Sequence, residues 1–172
     1  MTTLGFKQVT AANLLEPDPV ALSFANALDV ETGEWKELSL DEYVGFILEP
    51  TLSDAVPQEV REVFEAGRSA MGYGYFFYPL FMMGFQQACL VVDTALECRA
   101  RQLGGTARAT PNERIDFLAE KGVLSDVARQ QWHGIRKMRN LAVHPSMREI
   151  MPPGPSLSGL AAIAMAVNEL FA

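Results

Sequence analysis

The sequence predicts an all-α fold: an antiparallel four- to five-helix up-and-down bundle with an irregular N-terminal arm. A chain of 172 residues suffices for one domain with a buried core. Hydrophobic residues make up 49% and charged residues 20% of the chain, a mixture typical of globular proteins. From residue 57 onward, apolar side chains recur at helical spacing. We therefore divide the chain into an acidic arm, residues 1–50, and a helical bundle, residues 51–172.

The N-terminal arm contains turn signals in place of a sustained hydrophobic period. The stretches EPDPV and DVETGEW are typical of turns, and a short strand or hairpin is expected near residues 31–35. Ser39, followed three residues later by Glu42, forms a capping-box pattern. This pattern predicts a short helix over residues 40–48 that ends before Pro50.

Proline, glycine and serine residues mark the helices of the bundle. The first is expected to begin near Pro57, and the turn MGYGYFFY separates it from a second helix that runs from Pro79 to about Gln102. The second helix is apolar around most of its circumference, so we expect it at the centre of the bundle. Three further helices are expected to begin near Pro111, Ser125 and Ser158.

The net charge of −7 is distributed unevenly along the chain. Residues 1–65 hold 13 acidic and 3 basic side chains, whereas residues 66–172 hold 8 acidic and 11 basic ones. The acidic average disfavours non-specific nucleic-acid binding, but the basic excess of the second part permits a local phosphate-binding surface. No secretory signal is visible in MTTLGFKQVT, and the most apolar run is too short for a membrane span. We expect a cytoplasmic protein without membrane contact.

The two cysteines are expected to be structural. Cys89 and Cys98 lie nine residues apart on one predicted helix, which places them on opposite sides of its axis and excludes a disulfide between them. Buried, reduced thiols in apolar surroundings are the expectation. No set of Cys and His has the spacing of a zinc site, and we expect neither metal nor cofactor.

The stretch IRKMRNLAVHP, residues 135–145, carries the candidate site. On a helical wheel it has an apolar face, expected to pack into the bundle, and a polar stripe bordered by Arg136. The stripe is formed by His133, Lys137, Asn140 and His144. Arg139 lies on the boundary between the two faces, so its guanidinium is expected to be partly buried.

A partly buried Arg139 requires an acceptor, because an unpaired buried charge costs several kcal/mol. Asp93 and Glu97, spaced by four on the central helix, are the best candidates within the chain. Glu97 can alternatively pair with Arg101 on the same helix. The other suitable acceptor is an external phosphate, whose geometry matches the guanidinium.

Arg139, Asn140 and His144 in MRNLAVHP resemble the signature of the HEPN superfamily, in which an Arg precedes a His by a few residues at the end of a long helix. The upstream segment, residues 56–103, is similar to the paired first helices of HEPN branches, including a Leu-Glu step matched by Leu96 and Glu97. The resemblance covers about residues 55–172. The aromatic turn GYGYFFYP departs from the smaller, more polar turn that is usual there.

The resemblance implies a metal-independent endoribonuclease, commonly a toxin or defence effector, that works as a homodimer with its two motifs across a shared cleft. Arg139 would hold the scissile phosphate, and His144 would act as general acid or base. Asn140 would orient the imidazole or donate to phosphate. Candidate substrate contacts are Arg136, Lys137 and His133, and supporting residues are Glu97 and Asp93. The implied partners are RNA or a nucleotide, a second copy of the chain and a protein antitoxin.

Two other interpretations stay open at the level of sequence. One is a non-catalytic HEPN-like module that binds a nucleotide, RNA or a protein partner, which the acidic overall charge favours. The other is a plain helical bundle in which Arg139 pairs with Asp93 or Glu97 and His144 caps a helix end. In that case His133, Arg136 and Lys137 are ordinary surface residues.

Overall fold

The computed structural model describes residues 5–29, 31–142 and 152–172. Over these ranges the chain forms seven helices and a two-stranded antiparallel hairpin, which confirms the all-α class. In chain order the elements are α1 (Pro19–Phe24), β1 (Asn26–Leu28), β2 (Trp35–Glu37), α2 (Leu40–Leu48), α3 (Gln58–Tyr73), α4 (Tyr78–Gln102), α5 (Pro111–Glu120), α6 (Asp126–Ala142) and α7 (Pro153–Phe171).

Helix α4 is the central element of the fold, as predicted. It packs against α3, α5, α6 and α7. Its buried residues, among them Phe85, Val91 and Leu96, cover more than half of its circumference. Within the described part of the chain, α4 is also the one helix long and apolar enough to cross a membrane. Half of its most apolar window is buried inside the protein, and core helices commonly pass the same test.

Helices α3 and α4 form a closely packed antiparallel hairpin. Glycines at two levels permit the contact: a Cβ on Gly67 would lie 2.5 Å from the backbone N of Ala88, and one on Gly84 would lie 2.5 Å from the backbone N of Met71. Moving four residues forward along α3, from Gly67 to Met71, corresponds to moving four residues back along α4, from Ala88 to Gly84, as antiparallel helices require. The aromatic turn GYGYFFYP, which departs from the usual small and polar turn, joins the two helices at this close spacing.

A short helix in the arm, α1, was not predicted. Asp18 is its N-cap and accepts from the backbone N of Val20 at 2.8 Å, while Pro19 occupies the first turn. The Asp-Pro pair is a recognised helix-start signal and could have revealed α1. The Asp18 carboxylate is fully buried and also accepts from the backbone N of Tyr78 at 3.1 Å, so one side chain satisfies the first turns of both α1 and α4.

The rest of the arm consists of a largely exposed hairpin and of helix α2, which packs against α3. Strands β1 and β2 pair with Leu28 opposite Trp35, so the hairpin expected near residues 31–35 is present, with its strands at 26–28 and 35–37. Helix α2 has the predicted bounds and the predicted capping box of Ser39 and Glu42. Hydrogen bonds from Lys36 and Ser39 lower the pKa of Glu42 to about 2.

The last helix begins five residues before the predicted start at Ser158. Its first turn contains Pro153 and Pro155, which were predicted to lie in a loop. The first backbone N–H groups of a helix have no partner within the helix, so prolines there remove no hydrogen bond. The glycine- and proline-rich composition of PPGPS therefore did not prevent helix formation.

Candidate functional site

Helix α6 carries the candidate motif and packs against α4, α5 and α7. Trp132 is buried, and Ile135 and Met138 are partly buried against the core, so the predicted apolar face is confirmed for these residues. At Gly159 of α7 a Cβ would lie 3.0 Å from the Met138 sulfur, which shows how closely α7 approaches this end of α6. The packing places Arg139 beside α4.

Arg139 binds Asp93 of α4, one of its two predicted partners. Nη2 of Arg139 donates to Oδ2 of Asp93, and Nη1 donates to Oδ1 of Asn140 at 3.0 Å. The side chains of Arg139 and Asp93 are 24% and 23% exposed, so the ion pair lies at the edge of the core. Asn140 is exposed. The guanidinium therefore contacts a partly buried carboxylate through Nη2 and an exposed amide through Nη1.

The Arg139–Asp93 pair retains hydrogen-bonding capacity. Nε of Arg139 and Oδ1 of Asp93 are buried and have no hydrogen-bond partner among the described residues. A guanidinium has five N–H donors and a carboxylate can accept several hydrogen bonds, so one charge-assisted contact uses only part of each group. Because Nε is buried, a further acceptor from outside would have to bind at Nη1, beside the exposed Asn140.

Glu97 does not pair with Arg139 or with Arg101. Its Oε2 lies 2.8 Å from Nη2 of Arg114 on α5, whose side chain is only 9% exposed. Arg101 instead lies 2.5 Å from Glu59 of α3. An unpaired charge costs more free energy when it is buried. The nearly buried guanidinium of Arg114 is therefore stabilised more by Glu97 than the exposed guanidinium of Arg101 would be. The role of Arg114 was not foreseen, since its burial depends on how α5 packs.

The surface next to Asp93 is lined by ion pairs. A groove of about 340 Å³ between α3 and α4 is lined by Glu59, Asp93 and Glu97 together with one basic residue, Arg101. Each of these carboxylates has a guanidinium partner: Glu59 pairs with Arg101, Asp93 with Arg139 and Glu97 with Arg114. The charges that line the groove are therefore largely balanced.

The two cysteines are free and buried, as predicted, but their surroundings are not uniformly apolar. Burial raises the pKa of Cys89 to about 12. Arg139 lowers this pKa and Asp93 raises it, each by less than burial does. Cys98 lies 4.0 Å from Nη2 of Arg101, and burial together with Glu59 raises its pKa. The prediction of apolar surroundings is wrong for Cys98, because α3 brings Glu59 to this side of α4.

The predicted substrate contacts on α6 divide into two groups. Nε2 of His133 lies 3.7 Å from Oδ1 of Asp116 on α5, and the same oxygen accepts from Nη2 of Arg129 at 2.6 Å. His133 therefore belongs to a polar cluster between α5 and α6. Lys137 is exposed, and Arg136 is half-buried. Arg129 lies one turn before His133, a spacing visible in the sequence, whereas Asp116 could be found only from the fold.

His144 and Pro145 lie outside the described residues, so the structure gives no distance between Arg139 and His144. Among the residues that the structure does describe, no group of three or more His, Cys, Asp and Glu side chains is arranged to hold a metal ion.

Comparison of the chain with models of protein families, with curated proteins and with solved structures gives no significant match.

Proposed function

We propose that this protein is a HEPN-like helical module with metal-independent endoribonuclease activity, in which Arg139 and His144 are catalytic. The observation that carries the proposal is the position of Arg139 near the C-terminal end of α6. Asp93 holds one Nη of its guanidinium, and the other Nη is beside the exposed Asn140. A guanidinium oriented in advance loses less conformational freedom when it binds a phosphate.

The proposed reaction needs no metal ion because Arg139 stabilises the negative charge that grows on the phosphate. The ribose 2′-oxygen attacks phosphorus while a histidine accepts its proton, and the bond from phosphorus to the 5′-oxygen breaks as an acid protonates that oxygen. The products are a 2′,3′-cyclic phosphate and a 5′-hydroxyl. An imidazole with an ordinary pKa of about 6.5 can perform both proton transfers near neutral pH.

The two proton transfers are the reason for proposing a homodimer. His144 of one chain can act as base while His144 of a second chain acts as acid, if the two α6 helices face each other across an isologous interface. Light scattering at micromolar concentration should therefore report twice the mass of 18.9 kDa for one chain. A fully active monomer would disprove the dimeric mechanism.

The catalytic proposal is tested by incubating the purified protein with single-stranded RNA in EDTA. Cleavage should yield cyclic phosphate ends, and His144→Ala or Arg139→Ala should each lower the rate by about 10²-fold or more. Gln130→Ala is the matched control, because it removes an exposed polar side chain from the same helix outside the motif, and it should retain activity within about tenfold. Undiminished cleavage by His144→Ala, with folding verified by circular dichroism, would reject the site.

A second candidate function is binding without catalysis. Asp93 neutralises the charge of Arg139, and the other carboxylates of the adjacent groove are paired with guanidinium groups, so the electrostatic attraction for a long RNA is modest. This alternative predicts that labelled RNA or a nucleotide binds without turnover and that Arg139→Ala weakens the binding. Fluorescence anisotropy and gel analysis of the same samples separate the two functions.

The HEPN resemblance extends the proposal to a toxin or defence effector that acts in the cytoplasm and is held in check by a protein antitoxin. Induced expression of the wild-type chain in a bacterial host should then arrest growth, whereas His144→Ala should not. Equal growth of both cultures at equal expression would contradict the toxin proposal and leave the biochemical test unaffected.

A further inference from the structure

A second surface, remote in sequence from Arg139, has the features of a protein-binding groove. Helices α2 and α3 enclose an open groove of about 380 Å³. Its apolar lining is contributed by Leu40, Val44 and Leu48 of α2 and by Gly72, Tyr73 and Phe76 of the α3 side. Nothing in the proposed ribonuclease mechanism uses these residues.

The two helices run antiparallel, so the groove extends along both of them. The rings of Tyr43 and Tyr75 are 5.2 Å apart at one end, and Nη1 of Arg68 donates to the Leu48 carbonyl at 2.7 Å at the other. Leu40, Val44 and Leu48 are spaced by four residues along α2, so together they span about 12 Å, or two helical turns. The groove can therefore accommodate about two turns of another helix.

The groove exposes apolar side chains and has space between them. Leu40, Leu48 and Tyr73 are 38%, 42% and 64% exposed. Gly72 contributes no side chain, and a Cβ there would meet nothing within 4 Å. Apolar surface concentrated in a concave site, with an open floor between two helices, is typical of grooves that accept the apolar face of a helix.

The charges around the groove are negative. Asp41 lies in its wall, and Glu62 lies on the same face of α3, two turns before Ser69. Arg68, which lies at the Leu48 end of the groove, is already occupied. It binds both carboxylate oxygens of Glu65 and the carbonyls of Leu48 and Pro50, and its side chain is only 12% exposed. Neither Asp41 nor Glu62 forms an ion pair with a residue that the structure describes, so both carboxylates remain available to a basic partner.

We propose that the groove between α2 and α3 binds an amphipathic helix of a partner protein that presents an apolar stripe flanked by lysine or arginine. The apolar stripe would contact Val44 and Phe76 over the open floor at Gly72. The basic flanks would lie near Asp41 and Glu62. Opposite charges on the flanks favour this partner over an acidic helix, because like charges across an interface oppose binding.

The test uses a fluorescein-labelled synthetic helix of about 15 residues with leucines at helical spacing and lysines elsewhere. The full chain should bind it with a micromolar Kd in a fluorescence anisotropy titration. Gly72→Leu, which places a side chain on the open floor, should weaken binding at least tenfold. Gly45→Leu is the matched control: a Cβ at Gly45 also meets nothing within 4 Å, and Gly45 lies on α2 outside the groove lining. Its Kd should stay within twofold of wild type.

The charge component is tested separately. Asp41→Lys should weaken binding of the lysine peptide, and a peptide with glutamate in place of lysine should not bind. Equal affinity for both peptides, or for wild type and Gly72→Leu, would overturn the proposal. Self-association that Gly72→Leu abolishes would also overturn it, because the occupant would then be a second copy of the chain.

Discussion

Arg139 is the residue on which the functional proposals and the architectural interpretation differ. Its ion pair with Asp93 is the contact that a purely structural role requires, and it is also the contact that would orient the guanidinium for a phosphate. The sequence predicted partial burial and named Asp93 as a partner, because the helical wheel depends only on spacing. It could not choose between Asp93 and Glu97, since that choice depends on Arg114 of α5.

A double-mutant cycle measures the structural part of this contact. Arg139→Ala leaves the Asp93 carboxylate three-quarters buried without its cation, and should lower the free energy of unfolding by about 1–3 kcal/mol. The double variant Asp93→Ala, Arg139→Ala should cost less than the two single variants together. Urea denaturation provides the measurement.

The exposed pair of Arg61 and Asp54 is the control for this cycle. Asp54 is fully exposed in this pair, so its coupling should be below about 0.5 kcal/mol. If the Asp93 and Arg139 substitutions are simply additive, the ion pair contributes no stability, and the structural interpretation loses its support.

The buried carboxylate of Asp18 is expected to contribute to stability through two hydrogen bonds. This carboxylate accepts from the backbone N–H groups of Val20 and Tyr78, and Asp18→Ala removes both acceptors. The loss of an N-cap together with a buried hydrogen bond should lower the free energy of unfolding by about 2–4 kcal/mol. Thermal or urea denaturation will show this, and Asp54→Ala, a substitution of an exposed aspartate, should change stability far less.

At the scale of elements, the close approach of α3 and α4 depends on glycine. Gly67→Ala would place a Cβ within 2.8 Å of three atoms of Ala88, two of them backbone atoms, so the helices must separate. Overpacking of this kind costs about 1–3 kcal/mol. Gly134→Ala on α6 is the control, since its Cβ meets nothing within 4 Å, and it should stabilise the protein by about 0.5–1 kcal/mol. Equal effects of the two variants would contradict the close packing.

Most elements were predictable because their signals are local. The capping boxes of α2 and α5 and the proline at the start of α5 lie within a few residues of the helices that they begin. The start of α7 was wrong because the composition of PPGPS was taken for a loop, and α1 was missed because its six residues are too few to show a period. The partners of Glu97 and His133 could not be predicted, since they lie on other helices.

The buried thiol of Cys89 and the buried phenols of Tyr43 and Tyr78 predict that the whole molecule loses stability at alkaline pH. Burial raises the pKa of Cys89 from 9.0 to about 12, and burial also raises the pKa of Tyr43 and Tyr78 above their usual value of 10.0. The unfolded chain therefore loses these protons at lower pH than the folded one. Their contribution is complete below about pH 8.5 and decreases as the pH rises towards 12.

Urea denaturation between pH 7 and about 10.5 measures this dependence. The free energy of unfolding should be constant up to about pH 8.5 and then decrease. Cys89→Val retains an apolar side chain but removes the thiol, so it should reduce the slope above pH 9. An identical slope in wild type and Cys89→Val would show that the Cys89 thiol does not contribute.

The double contact of Asp18 has a consequence for the order of folding. Asp18 precedes Tyr78 by sixty residues, whereas α3 and α4 are joined by four residues, so the α3–α4 hairpin closes a far shorter loop. During synthesis the hairpin can begin to form as α4 leaves the ribosome, and α1 can attach only after the first turn of α4 exists to receive its carboxylate. We expect Asp18→Ala to accelerate unfolding with little effect on the folding rate, as stopped-flow kinetics would show.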